Sequence, residues 1–179
     1  MLFFKLMSLV AYGALPVIAR HVSTTTTSAA PITVPTPTYL FTAFLRVGKP
    51  LEPIPLLEGG AVIIEPLING TITGPDLNAT VHGGFAAAMV VANNTITGKG
   101  KTVQIPSIYV YGETNDGLPF YVQESGVGPQ AGQNTRLVIA VGGEYSNLQE
   151  LFILGQPTIN QARTVVTVPC FSVPLPPGI

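Results

Sequence analysis

At 179 residues with a formal net charge of -1, the chain suits a single domain with a real hydrophobic core. Hydrophobic residues make up 46% of it and charged residues only 9%, against roughly 25% charged in an average soluble protein. The eight Lys and Arg are scattered singly, which leaves no basic stripe for phosphates and excludes nucleic acid as a partner.

The N-terminus accounts for part of the apolar excess. Met1 to Lys5 forms a short n-region with one positive charge, and residues 6–19 form an apolar h-region. Val17-Ile18-Ala19 places a small residue where a signal peptidase cuts, and Ser28-Ala29-Ala30 offers a later alternative. Gly13 and Pro16 interrupt a segment already too short for a good membrane span. Residues 1–19 therefore read as a secretory signal peptide, with an N-terminal anchor as the alternative, and no stable membrane insertion is expected after cleavage. Residues 20–38, with the run Thr24 to Thr27 and prolines at 31, 35 and 37, read as an extended Ser/Thr/Pro-rich linker.

From Tyr39 onward strand signals come at short, regular spacing. Residues 39–47 read as a first strand, broken by Gly48 and the prolines at 50, 53 and 55. Residues 61–65 and 67–73 follow on either side of Pro66, then 77–82, then 85–92 beyond Gly83-Gly84. A short strand at 95–97 and the turn Gly98-Lys99-Gly100 lead to a strand at 102–111. Residues 109–128 then form a β-hairpin, with Asn115-Asp116-Gly117 as its turn. Residues 136–141, 151–154 and 164–173 are further strands, and prolines at 174, 176 and 177 end the structure in a tail. Only residues 135–140 and 145–151 could be helical; β-branched content favours strand for the first, and the second stays open.

Many short strands with Gly and Pro punctuation predict an all-β fold: a single antiparallel β-barrel, lipocalin-like in outline, over residues 39–173 with few or no helices. A barrel is favoured over a sandwich because closure removes sheet edges without charged gatekeepers, which this chain scarcely has. Cys170 has no partner for an internal disulfide and reads as a small buried hydrophobe.

Behind a signal peptide, Asn69-Gly70-Thr71, Asn78-Ala79-Thr80 and Asn93-Asn94-Thr95 read as N-glycan acceptors. The alternative is that they are turn and strand residues alone.

The segments Gly70-Thr71-Ile72-Thr73-Gly74-Pro75 and Val81-His82-Gly83-Gly84, with Tyr109, Thr114, Asp116-Gly117, Tyr121 and Gly126 in the hairpin, resemble the small β-barrel family known as domain of unknown function 3237. The resemblance spans residues 39–173 and implies a barrel. Some fungal members of that family are thought to guide cofactor-free ring closures in polyketide pathways. Phe85-Ala86-Ala87-Ala88 follows the Gly pair here, where many members carry an Ala-Asp-Trp run, so that Asp has no counterpart.

Candidate chemistry narrows quickly. With His82 alone in the domain and no His or Cys pairs, no metal site is expected; no cofactor-binding loop is present either. What remains is an apolar cavity with a few converging polar groups. Tyr109, Tyr111 and Glu113 share one strand face; across the turn Tyr121 and Gln123 share a face, with Phe120, Val122 and Glu124 on the other. Arg46, Tyr109, Tyr111 and Glu113 are the candidate catalytic set, a carboxylate serving as acid or base. Tyr121, Gln123, Glu124, His82 and Arg163 are candidate ligand-binding residues, and Arg136 a further anion partner. The competing reading makes the tyrosines an outward cross-strand ladder, the glutamates solvated, Arg46 a strand end and His82 a turn residue. A small hydrophobic metabolite is the expected partner, for either a cofactor-free cyclase or isomerase, or a non-catalytic secreted carrier or surface module.

Overall fold

The computed structural model describes residues 35–92, 102–129 and 132–174. The signal peptide, most of the linker, the expected strand and turn at 95–100, the sequon at Asn93 and the end of the tail lie outside these residues.

Ten strands run in chain order: β1 (Thr38–Val47), β2 (Ile54–Pro55), β3 (Ala61–Thr73), β4 (Ala79–Ala92), β5 (Thr102–Thr114), β6 (Pro119–Val127), β7 (Asn134–Val141), β8 (Phe152–Gly155), β9 (Thr158–Ile159) and β10 (Val165–Val173). Eight of them close an antiparallel barrel in the order β1, β10, β8, β7, β6, β5, β4, β3 and back to β1. The two-residue strands β2 and β9 are additions on β3 and β10. A 3-10 segment at Gly143–Glu150 fills the place left open as helix or loop.

Two expected breaks are absent. Residues 61–73 form one strand through Pro66, and residues 79–92 one strand through Gly83-Gly84. In a strand the N–H and C=O of a residue point to the same side. The Pro66 carbonyl accepts from Gly48 N at 2.8 Å, so its missing N–H faces the loop after β1 and spares the β4 ladder. At Gly84 a Cβ would overlap the Tyr109 carbonyl, and the β4–β5 register shifts between Val81 and Gly83. The glycine pair thus allows close strand approach at a bulge and does not end the strand.

The interior follows from period-two alternation. In β7, Thr135, Leu137, Ile139 and Val141 point in and the residues between them point out. Phe41, Leu77, Leu148, Ile153, Val168 and Cys170 are wholly buried, each large aliphatic or aromatic side chain contributing about 1.5–3 kcal/mol. Cys170 packs as a hydrophobe, and burial pushes its thiol pKa far up, so it is an inert thiol.

The two barrel ends differ. Leu77, from the turn between β3 and β4, and Leu148, from the 3-10 segment, are fully buried where the β5–β6 turn also lies. The opposite end carries Glu65, Gln104, Gln133 and Arg163 around a pocket. That end is the mouth.

Candidate functional site

Period two in β6 turns Phe120, Val122 and Glu124 inward. Glu124 is 3% exposed, and its Oε1 has no hydrogen-bond partner. Phe41, Leu45, Val110, Leu137 and Val168 line the same small interior void of about 20 Å³, room for one water molecule. Burial raises the Glu124 pKa to about 7, and a hydrogen bond with the Thr135 side chain opposes part of that rise. The Thr135 hydroxyl also donates to Gly155 O at 3.0 Å. One O–H cannot serve both acceptors, so ionising Glu124 sets it in competition with Gly155 O for the Thr135 proton.

Above the void lies the mouth pocket, about 80 Å³, with apolar walls from Ala86, Ala88, Pro106, Ile108, Ile159 and Val166. Ile108 pairs directly across from Glu124, and Val166 directly across from Leu45. Ile108 and Val166 therefore form the layer between the mouth and the void holding the carboxyl. At the rim, Arg163 Nη2 donates to Glu65 Oε1 at 2.7 Å. Arg163 has a positive φ of 55°, uncommon for a non-glycine residue. Its N–H donates to Asn160 O at 2.9 Å, and Asn160 Oδ1 accepts from Thr164 N at 2.8 Å, which fixes the turn. Glu65, Gln104 and Arg163 also border a shallow groove of about 420 Å³ beside β2.

Of the residues singled out in the sequence, Glu124 and Arg163 belong to this end of the barrel. Tyr109, Tyr111 and Glu113 face outward from β5, and Tyr121 and Gln123 outward from β6. They form an aromatic row: Phe85 and Tyr109 centroids lie 5.0 Å apart, Tyr109 and Tyr121 6.3 Å. His82 Nε2 stands 3.7 Å from Glu113 Oε2, both half exposed. Arg46 is exposed on the outer side of β1, opposite Asn69 and Val165, and does not join the tyrosines. The candidate catalytic set thus does not converge on a cavity: alternation turns each of the four side chains away from the interior. Arg136 also faces out, over the Phe152 ring at 4.9 Å. Among the sequons, Asn69 is exposed, whereas Asn78 is half-buried and donates through Nδ2 to Gly74 O at 2.9 Å.

Sequence reasoning missed Thr135, Glu65, Gln104 and Gln133. A signal existed for two of them: Glu65 interrupts the apolar run from Ala61 to Leu67, and Thr135 occupies an inward position of β7.

No protein-family model and no curated protein matches the sequence. Solved structures share its fold. A conserved protein of unknown function from Rhodopseudomonas palustris is 19% identical with a TM-score of 0.67, over 79% of this chain and 99% of that one. A β-barrel-like protein from Acinetobacter baumannii AYE is 16% identical with a TM-score of 0.63, over 82% and 99%. An enzyme from Penicillium herquei is 19% identical with a TM-score of 0.57, over 79% and 98%. At these identities the likeness is one of fold.

Proposed function

We propose that this chain is a secreted barrel protein of the family it resembles, glycosylated at Asn69, that takes a small hydrophobic metabolite at the barrel mouth. In this reading Glu124 moves a proton in a cofactor-free cyclisation or isomerisation. The carrying observation is a buried carboxyl with a pKa of about 7, one side-chain layer beneath an apolar pocket. At neutral pH such a group is present in both protonation states. It can take a proton from a carbon beside a carbonyl and return it at another atom, which closes the balance without a cofactor. The void beside it has room for the one water that a proton relay past Ile108 requires. Arg163 at the rim orients the polar end of the ligand while the alanines and Pro106 hold its apolar part.

A non-catalytic binding module is the second reading, favoured by the nearly filled interior and by the exposed aromatic row. The test is native mass spectrometry of the protein from a secreting eukaryotic host, challenged with host metabolite extract, for wild type and Glu124→Gln. A metabolite that stays bound to the variant and is converted by the wild type supports the catalytic reading. Binding without conversion by either protein leaves a carrier, and no binding by either supports the surface module.

A further inference from the structure

The outward face of β4 to β7 is unusual for a protein surface. Phe85 and Met89 of β4, Tyr109 and Tyr111 of β5, and Tyr121 of β6 cover it with Val138 and Ala140 of β7. Tyr111 is 56% exposed and Val138 52%. Between Glu113 on one side and Arg136 on the other, the outward residues of β5, β6 and β7 carry no charge. Aromatic, Met and Arg enrichment with depletion of Lys, Glu and Asp is the composition of an interface centre.

The placing of the two charges says what covers this face. Glu113 pairs with Pro119 of β6, and Arg136 pairs with Ser125 of β6 from the opposite side. Each is therefore one strand away from β6, on opposite flanks, and the midpoint between them falls on β6 between Tyr121 and Gln123. A two-fold axis lying in the interface over that point, perpendicular to the line joining the two charges, brings the Arg136 of one molecule over the Glu113 of another, twice. Neither charge gives up a strong partner to do so. Among the described residues, Glu113 has only the exposed His82 at 3.7 Å, and Arg136 only the Phe152 ring. Four strands span roughly 14 Å, and the charge-free stretch along β6 roughly 20 Å. The exposed Phe152 of β8, under Arg136, adds apolar surface beyond β7.

We propose that the outward face of β4 to β7 is a self-association surface, on which a second copy of this chain docks about a two-fold axis lying in the interface over β6, with Arg136 of each copy against Glu113 of the other.

The test is sedimentation velocity of the secreted, full-length protein over a concentration series, with circular dichroism as the folding control. Wild type is expected to dimerise. Arg136→Glu and Glu113→Arg should each weaken the dimer by about tenfold or more, since each sets like charges together twice. The double variant carrying both reversals should regain the wild-type constant, because the swapped pair is again complementary. Val138→Asp, which leaves both charges in place, should also weaken the dimer. A wild type that stays monomeric, a dimer indifferent to the single reversals, or a double variant that adds the two losses would each overturn the proposal.

Discussion

The hairpin of β5 and β6 carries two glutamates, and only the side of the sheet separates them. Glu113 points out, with its side chain 54% exposed beside His82. Glu124 points in among Val110, Val122 and Leu137, and its pKa rises to about 7. The two residues share a hairpin and a chemistry; desolvation on the inner face makes Glu124 a titratable group near neutrality. The faces also differ in what they tolerate. The inner one is close-packed, while the outer one presents rings to solvent with open space around them.

The largest effect should come from adding volume inside. At Gly112, on the inner side of β5, a Cβ would overlap the Thr80 carbonyl oxygen and stand 2.8 Å from the Phe120 ring. Gly112→Val is expected to cost 3 kcal/mol or more and to prevent folded secretion, since backbone on β4 must move. Chemical denaturation, or the secreted yield where no folded protein remains, measures it. A variant as stable as wild type would mean that the inner face is not packed as described.

Next comes the carboxyl itself. Glu124 keeps its proton in the folded chain up to about pH 7, whereas an ordinary carboxyl releases it near 4.5. Between those values the native state binds more protons than the unfolded chain, so stability falls as pH rises through that window and is level above it. The full loss is about 3 kcal/mol. Glu124→Gln removes the titration, so its stability should lack this slope and exceed that of wild type above pH 7. Denaturation midpoints of both proteins from pH 4.5 to 8 decide it: parallel curves would mean that Glu124 is solvated like Glu113.

Much of this architecture is legible in the sequence, and the failures have physical causes. Turn chemistry at Asn115-Asp116-Gly117 and alternation in residues 119–127 locate the hairpin and set Phe120, Val122 and Glu124 on one face. Which face turns inward is harder to read. Tyr109, Tyr111 and Tyr121 make the outer face look as buriable as the inner one, in a chain with too few charges to mark its surface. Pro66 and Gly83-Gly84 look like strand ends because local rules do not know which side of a strand lacks a partner or needs a close approach. That the mouth residues meet at one place is not legible from local pattern. Arg163 and Glu65 are 98 residues apart and meet only because β3 closes onto β1.

Smaller effects refine the contrast between the faces. Thr135→Val removes a buried hydroxyl that donates to Gly155 O, leaving that carbonyl without the bond at a cost of about 1–3 kcal/mol. The same change deletes the interaction that holds the Glu124 pKa down, so the carboxyl should titrate above its wild-type value. Carbon-detected NMR titration of the glutamate carboxyls reads that shift apart from the stability loss. On the outer face, Glu113→Gln removes only a solvent-screened contact with His82, and the isolated protein should change by less than about 0.5 kcal/mol. The pair of measurements separates two explanations of Glu124. If Thr135→Val shifts its titration upward while Glu113→Gln leaves it in place, the carboxyl answers to its immediate packing inside the barrel. A shift from the outer variant would instead show that charge across the sheet governs it, and the two faces would no longer be electrostatically separate.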